Sequence, residues 1–371
     1  MGDQRRGSRH AVVRTALLGP AVLALVALSA GPALAELPGT PVRGTWGTNG
    51  TVYAITRIGD VAFLGGSFSA VLDPEGGSLP RANFAAIDLS TGRPTEWAPQ
   101  VSGAVHALAT DGRTIFVGGT FTKVNGQPRG RFAAIGPNGN LRSWTADASS
   151  SIDALTVLGS TIFMGGDFWQ MKGELRSRLA AVTTAGELLD WNPSANARVR
   201  SLAVDRRSVL VAGDFTSVNG DGSRRHVARV DRLTGELRGF AQPPGYRAFD
   251  VTVVDRTVYA AIGGPGGRVM SWDIHGNTRW TVYADGDAQA IGFADGDVIA
   301  GGHWDYISKT LVPKLAALDP ATGALDTGWV PRPSGGGIWA IRAYSDELLV
   351  GGNDFNYVGG VWASRFARFE L

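Results

Sequence analysis

Phe116-Val117-Gly118-Gly119-Thr120-Phe121-Thr122-Lys123-Val124-Asn125-Gly126 is the stretch on which the fold turns. An apolar run ends in a glycine pair, an aromatic follows two residues later, and a polar turn closes the segment. The same signal returns at Phe63-Leu64-Gly65-Gly66, Phe163-Met164-Gly165-Gly166, Val211-Ala212-Gly213, Ala261-Ile262-Gly263-Gly264, Ile299-Ala300-Gly301-Gly302 and Leu349-Val350-Gly351-Gly352. A large aromatic precedes each copy: Trp46, Trp97, Trp144, Trp191, Phe240, Trp280 and Trp329. From that aromatic to the second glycine the gaps are 20, 22, 22, 22, 24, 22 and 23 residues. Chance apolar runs would drift through so loop-rich a chain, so the spacing marks a structural unit.

Around each glycine pair the pattern reads as four short strands. In the second copy Val105–Thr110 and Thr114–Gly119 alternate, Arg131–Ile135 follows a Gly/Pro loop, and Leu141–Trp144 follows Pro137-Asn138-Gly139. Tight turns such as Asp88…Thr91-Gly92 and Asp319…Thr322-Gly323 join third and fourth strands, where glycine supplies a positive φ. No segment of helical period follows residue 35. Four-stranded units repeating at 40–50 residues are the sequence mark of a β-propeller. The expected fold is all-β, with seven blades ending near residues 97, 144, 191, 240, 280 and 329. The seventh copy stops after its third strand, so 330–371 plus 36–47 are expected to form one closing blade, with the N-terminal strand supplying its edge.

The Gly-Gly-Thr-Phe-Thr-Lys-Val-Asn-Gly stretch above and Val211-Ala212-Gly213-Asp214-Phe215-Thr216-Ser217-Val218-Asn219-Gly220 resemble the delta-60 repeats of secreted bacterial β-propeller proteins. The resemblance covers nearly all of 41–371 and is weakest in the fifth copy, where Pro265 interrupts the motif. It implies an extracellular propeller and no particular reaction.

Residues 1–35 read as a cleaved export signal: Arg5, Arg6, Arg9 and Arg14 precede an apolar run, and Ala33-Leu34-Ala35 offers a cleavage site before Glu36. Losing four Arg and one Asp takes 35 basic and 33 acidic residues to 31 and 32. A mature chain near neutrality gives a nucleic-acid partner no electrostatic footing. No later stretch is apolar and long enough to span a bilayer. With 44% apolar and 18% charged residues the chain can build a core, and with no cysteine it has no disulfides or thiolate metal sites. The expectation is a secreted or cell-surface monomer.

Positions that repeat are structural; positions that vary on a repeated scaffold are candidates for function. Phe68, Phe121, Phe168, Phe215, Trp304 and Phe355 are expected in the core. Asn83, Arg131, Arg178, His226, Arg268, Lys314 and Arg365 form a largely cationic set whose simplest role is pairing near the glycine turn. The first strand of each copy keeps its apolar flanks while one position changes: Tyr53, His106, Asp153, Arg200, Asp250, Gln289 and Trp339. In a propeller these would ring the channel mouth, a suitable site for one asymmetric ligand. Tyr306, Tyr357 and Trp362 add aromatic surface on neighbouring loops.

Catalytic signals are thin: there is no His-Glu-x-x-His, Gly-x-Ser-x-Gly or P-loop. His106 with Asp153 and Asp250 could serve acid/base chemistry or hold a metal. The expected function is non-catalytic binding of a carbohydrate, peptide or envelope component at the channel mouth, without cofactor or metal. The alternative is an extracellular lyase or hydrolase using His106 and its neighbouring carboxylates.

Overall fold

The computed structural model describes residues 37–371, and the expected export signal lies outside them. Every regular element described is a strand. Among the described residues seven main antiparallel sheets follow one another, each with its strands in sequence order. They open with Thr51–Ile58, Val105–Thr110, Ile152–Leu158, Val199–Val204, Ala248–Val254, Ala288–Ala294 and Gly337–Ala343. These opening strands pack side by side from sheet to sheet, and that of the first sheet also lies against that of the seventh. The fold is all-β and propeller-like.

The glycine pairs are imposed by two close approaches. A β-carbon on Gly118 would sit 2.6 Å from Ile152 Cγ2 of the next sheet, and Gly65, Gly165 and Gly301 face Val105, Val199 and Ile338 in the same way. Gly351 of the last sheet faces Val52 of the first, where a β-carbon would be 2.7 Å from Cγ1. The second glycine lies against a backbone carbonyl: Thr51 for Gly66, Ala104 for Gly119, Gly337 for Gly352.

A backbone clip explains the rest of the motif. Gly119 N donates to Arg131 O, while Arg131 N donates to Phe121 O. Equivalent pairs of bonds run through Asn83, Arg178, His226, Lys314 and Arg365. All six clip residues are left-handed, with φ between 57° and 67°. The clip pins the aromatic beneath it, and Phe121, Phe168, Phe215, Trp304 and Phe355 are all buried as expected. Six of the seven positions in the cationic set are therefore clip residues, with side chains such as Arg178 and Lys314 paired to Asp167 and Asp305, while Arg268 lies outside the clip and stacks over Tyr246 and Tyr283.

Three expectations need correction. First, among the described residues only the fourth and fifth sheets have a fourth strand, Leu237–Arg238 and Thr278–Tyr283. Elsewhere the fourth segment makes a single bridge, Ile87 to Pro94, Ile135 to Leu141, Val182 to Leu188 or Leu318 to Leu325. These edge segments carry Pro94, Pro99, Pro193 and Pro331, which lack the N–H a ladder needs. The N-terminal segment seats on the last sheet in the same manner, through Val42 N to Arg368 O at 2.8 Å. That bond matches Arg142 N to Ala134 O and Leu189 N to Ala181 O.

Second, the second-to-third-strand loops are not plain loops. They form small hairpins such as Lys123–Val124 with Gln127–Pro128 and Tyr306–Ile307 with Thr310–Leu311. Each is stitched to the segment entering its sheet, as in Val101 with Val124 and Ala284 with Ile307.

Third, the fifth copy was read out of register. Ala248 pairs with Ile262, as Val105 pairs with Gly119, so Ala261-Ile262 occupy the glycine-pair positions and Gly263-Gly264 lie beyond the strand. The distance from Phe240 then becomes the same 22 residues found in most copies.

Candidate functional site

Each opening strand carries a β-bulge near its start, so one residue there has no ladder partner and is re-aimed. The bulged residues are Tyr53, His106, Asp153, Arg200, Phe249, Gln289 and Trp339. Six of the seven were singled out from sequence. In the fifth sheet Phe249 holds the position, and Asp250 takes the place held elsewhere by Ala107 or Ala154. All seven bulged residues, and Asp250, line one cavity of about 350 Å³.

The cavity wall divides into two arcs. One is aromatic. Trp339 meets Tyr53 edge-to-face at 6.0 Å between ring centroids and reaches Phe249 at 6.4 Å. Its indole N–H is anchored to Asn353 Oδ1 at 3.1 Å. Trp339 thereby spans the sixth sheet, where Gln289 is only 5% exposed and Gln289 Oε1 has no hydrogen-bond partner.

The other arc is polar. Asp153 accepts from Arg198 Nε at 2.9 Å and Arg198 Nη2 at 2.7 Å, and from Ser151 Oγ at 2.9 Å. His106 Nδ1 lies 2.7 Å from Asp153 Oδ1, which leaves Nε2 as the free nitrogen of the ring. Burial works to raise the Asp153 pKa, but hydrogen bonds from His106 and Arg198, with the Arg198 charge, hold it below the ordinary carboxylate value. Arg200 forms a two-point ion pair with Asp214 at 2.9 and 2.8 Å and stacks over the Phe249 ring at 5.0 Å.

Asp250 does not join His106 and Asp153. Its carboxylate accepts from Ser201 Oγ at 2.6 Å, Val251 N at 2.9 Å and Ile291 N at 3.0 Å. It therefore covers the unpaired inner edge of the sixth sheet's opening strand. Burial pushes its pKa up, against the Arg342 charge and those hydrogen bonds. Among the described residues no three His, Asp or Glu side chains are gathered as metal ligands would be.

Tyr306 and Tyr357 stand on the hairpins of the sixth and seventh sheets, about half exposed, and Trp362 is the cross-strand partner of Tyr357. None of the three lines the cavity. Arg198, Phe249 and Arg342 do line it and were missed in the sequence. Arg198 had a signal: the residue before the first-strand apolar flank is Thr51, Ala104 and Ser151 in the first three copies and becomes Arg198 in the fourth.

Comparison with known proteins bears on the fold. The sequence model of a family described as a domain of unknown function (DUF5122), a β-propeller, matches residues 110–141. No curated protein matches the chain. The crystal structure of the WD40 β-propeller domain of Doa1 is similar with a TM-score of 0.60 at 11% identity, covering 91% of this chain and 97% of that one. The crystal structure of the computationally designed Ika8 protein is similar with a TM-score of 0.55 at 13% identity, covering 90% of this chain and 100% of that one. At such identities the likeness speaks for the architecture alone: the chain is a β-propeller protein whose site must be read from its own residues.

Proposed function

We propose that this protein is a secreted, monomeric, delta-60-type propeller of seven blades, closed by its N-terminal strand, that binds carbohydrate at the channel mouth without turning it over. The observation that carries the reading is the two-sided cavity. Aromatic rings on one wall and planar, hydrogen-bonding Arg, Asp and His groups on the other suit a sugar, whose C–H face is apolar and whose rim is hydroxylated. All seven bulged positions contribute, so the variation falls where one asymmetric ligand would meet it. A peptide or envelope component would use the same mouth.

The test is an array of glycans probed with the purified, labelled protein, followed by titration of any ligand found. Trp339→Ala and His106→Ala should each weaken binding by roughly thirtyfold, the scale of a hot-spot truncation. Tyr306→Ala and Tyr357→Ala should leave it unchanged. Binding lost only in the hairpin variants would move the site to the rim.

A second reading, a lyase or hydrolase, rests on the His106–Asp153 bond, which orients a histidine toward the cavity as general bases are oriented. Product formation from a bound glycan, abolished by His106→Ala, would replace the binding reading.

A further inference from the structure

We propose that the sugar taken by the cavity is an uncharged residue, neither an acidic nor a cationic one. This rests on the carbohydrate reading above and narrows it.

The argument begins with the balance of charge. Three arginines line the cavity: Arg198, Arg200 and Arg342. Arg198 is held at two points by Asp153, and Arg200 at two points by Asp214. Arg342 donates to the Ile341 carbonyl at 2.8 Å, and its charge acts on Asp250. Arg198 and Arg200 are thus closed forks, whereas Arg342 is exposed and engages only that backbone carbonyl. A uronate, sulfate or phosphate would find two of the three guanidinium forks closed and the third, Arg342, beside Asp250, in a confined site where like charges are poorly screened. An amino sugar would meet carboxylates already committed to arginine, serine and backbone donors.

Besides Arg342, the groups left over are an amide oxygen and an imidazole nitrogen. Gln289 Oε1 is unpartnered in a residue that is 5% exposed. His106 keeps Nε2 after Nδ1 is engaged by Asp153. A buried amide without a partner costs stability, which is tolerable where a ligand completes it. A hydroxyl both donates and accepts, and so can satisfy an amide or an imidazole nitrogen in either sense.

The test uses the full chain against neutral, acidic and amino glycans, with sodium chloride varied about tenfold. The expected binders are neutral, and their affinity changes less than about twofold with salt, because no ion pair forms. Gln289→Met, similar in shape but without the amide, should lower affinity about tenfold while leaving the melting temperature equal or higher. Gln289→Glu, which puts an anion at the same place, should lower affinity further. Binding confined to acidic or amino glycans, or an affinity that collapses with salt, would overturn this inference and leave the carbohydrate reading intact. So would unchanged affinity in both Gln289 variants. Failure of every glycan class to bind would remove both readings together.

Discussion

Asp153 accepts four hydrogen bonds, from His106, Ser151 and twice from Arg198, so its carboxylate is committed to holding other groups in place. Asp153→Asn should loosen both His106 and Arg198 and leave a half-buried guanidinium without its counter-charge. A loss of about 1–2 kcal/mol at neutral pH is expected, less than for a fully buried pair because Arg198 is reached by solvent. The native pKa is depressed, so the stabilisation is present above the ordinary value near 3.8 and disappears as pH falls through the native value. Wild-type and variant melting curves should therefore converge in strong acid, and equal melting temperatures at pH 7 would show the pair to be dispensable. Asp297 has the opposite sign. Burial first, then the charges of Asp326, Asp319 and Asp295, raise its pKa to about 6. Between the unfolded value of 3.8 and about 6 the native state holds the proton more tightly, so stability should fall as pH rises through that window. Asp297→Asn should flatten that part of the profile and raise the melting temperature at pH 7. A profile identical to wild type would mean that Asp297 titrates normally. At this scale the sequence was readable wherever the varying residue differed in polarity from its flanks. His106, Asp153, Arg200 and Gln289 stand out for that reason. Phe249 did not, because an aromatic bulge residue looks like an apolar flank, and the polar Asp250 beside it drew the reading one residue too far.

The repeating element was legible because backbone contacts impose it. Gly118 is glycine because Ile152 of the next sheet occupies the space a side chain would need, and that constraint recurs at Gly65, Gly165, Gly301 and Gly351, while the fourth and fifth sheets carry Ala212 and Ala261 there. Gly118→Ala should destabilise by about 1–3 kcal/mol, the usual cost of overfilling a packed interior. Gly222→Ala, with nothing within 4 Å, should be nearly neutral and serves as the control. Equal melting temperatures for the two variants would mean that the glycine pair has no packing role. Phe215→Ala, by contrast, empties the core beneath the clip and should cost about 3–5 kcal/mol. The small hairpins and most of the fourth segments were less legible, since the hairpins are two- or three-residue pairings and four of the fourth segments make a single bridge. Over so short a length alternation carries no information, and a proline-bearing edge with one bridge differs little in sequence from a loop.

For the whole molecule the decisive place is the junction between the last sheet and the first. Three contacts made there or by the N-terminal segment beside it repeat contacts found elsewhere along the chain. Gly351 faces Val52 as Gly118 faces Ile152, Val42 N donates to Arg368 O as Arg142 N donates to Ala134 O, and Trp329 Nε1 donates to Pro38 O at 2.9 Å as Trp280 Nε1 donates to Pro320 O at 3.0 Å. The first two join the ends without any covalent continuity, so their strength decides whether the ring holds in solution. If the junction is as tight as the others, Gly351→Ala should cost as much as Gly118→Ala, because Val52 has no freedom to move aside. Val42→Pro, which removes the donor and leaves the Arg368 carbonyl unpaired at that edge, should lower the melting temperature and open that edge to association. If instead the junction opens readily, Val52 relaxes, Gly351→Ala behaves like the Gly222→Ala control, and Val42→Pro leaves both the melting temperature and the oligomeric state as they are. Calorimetry and light scattering on these four variants distinguish a closed ring from an open arc.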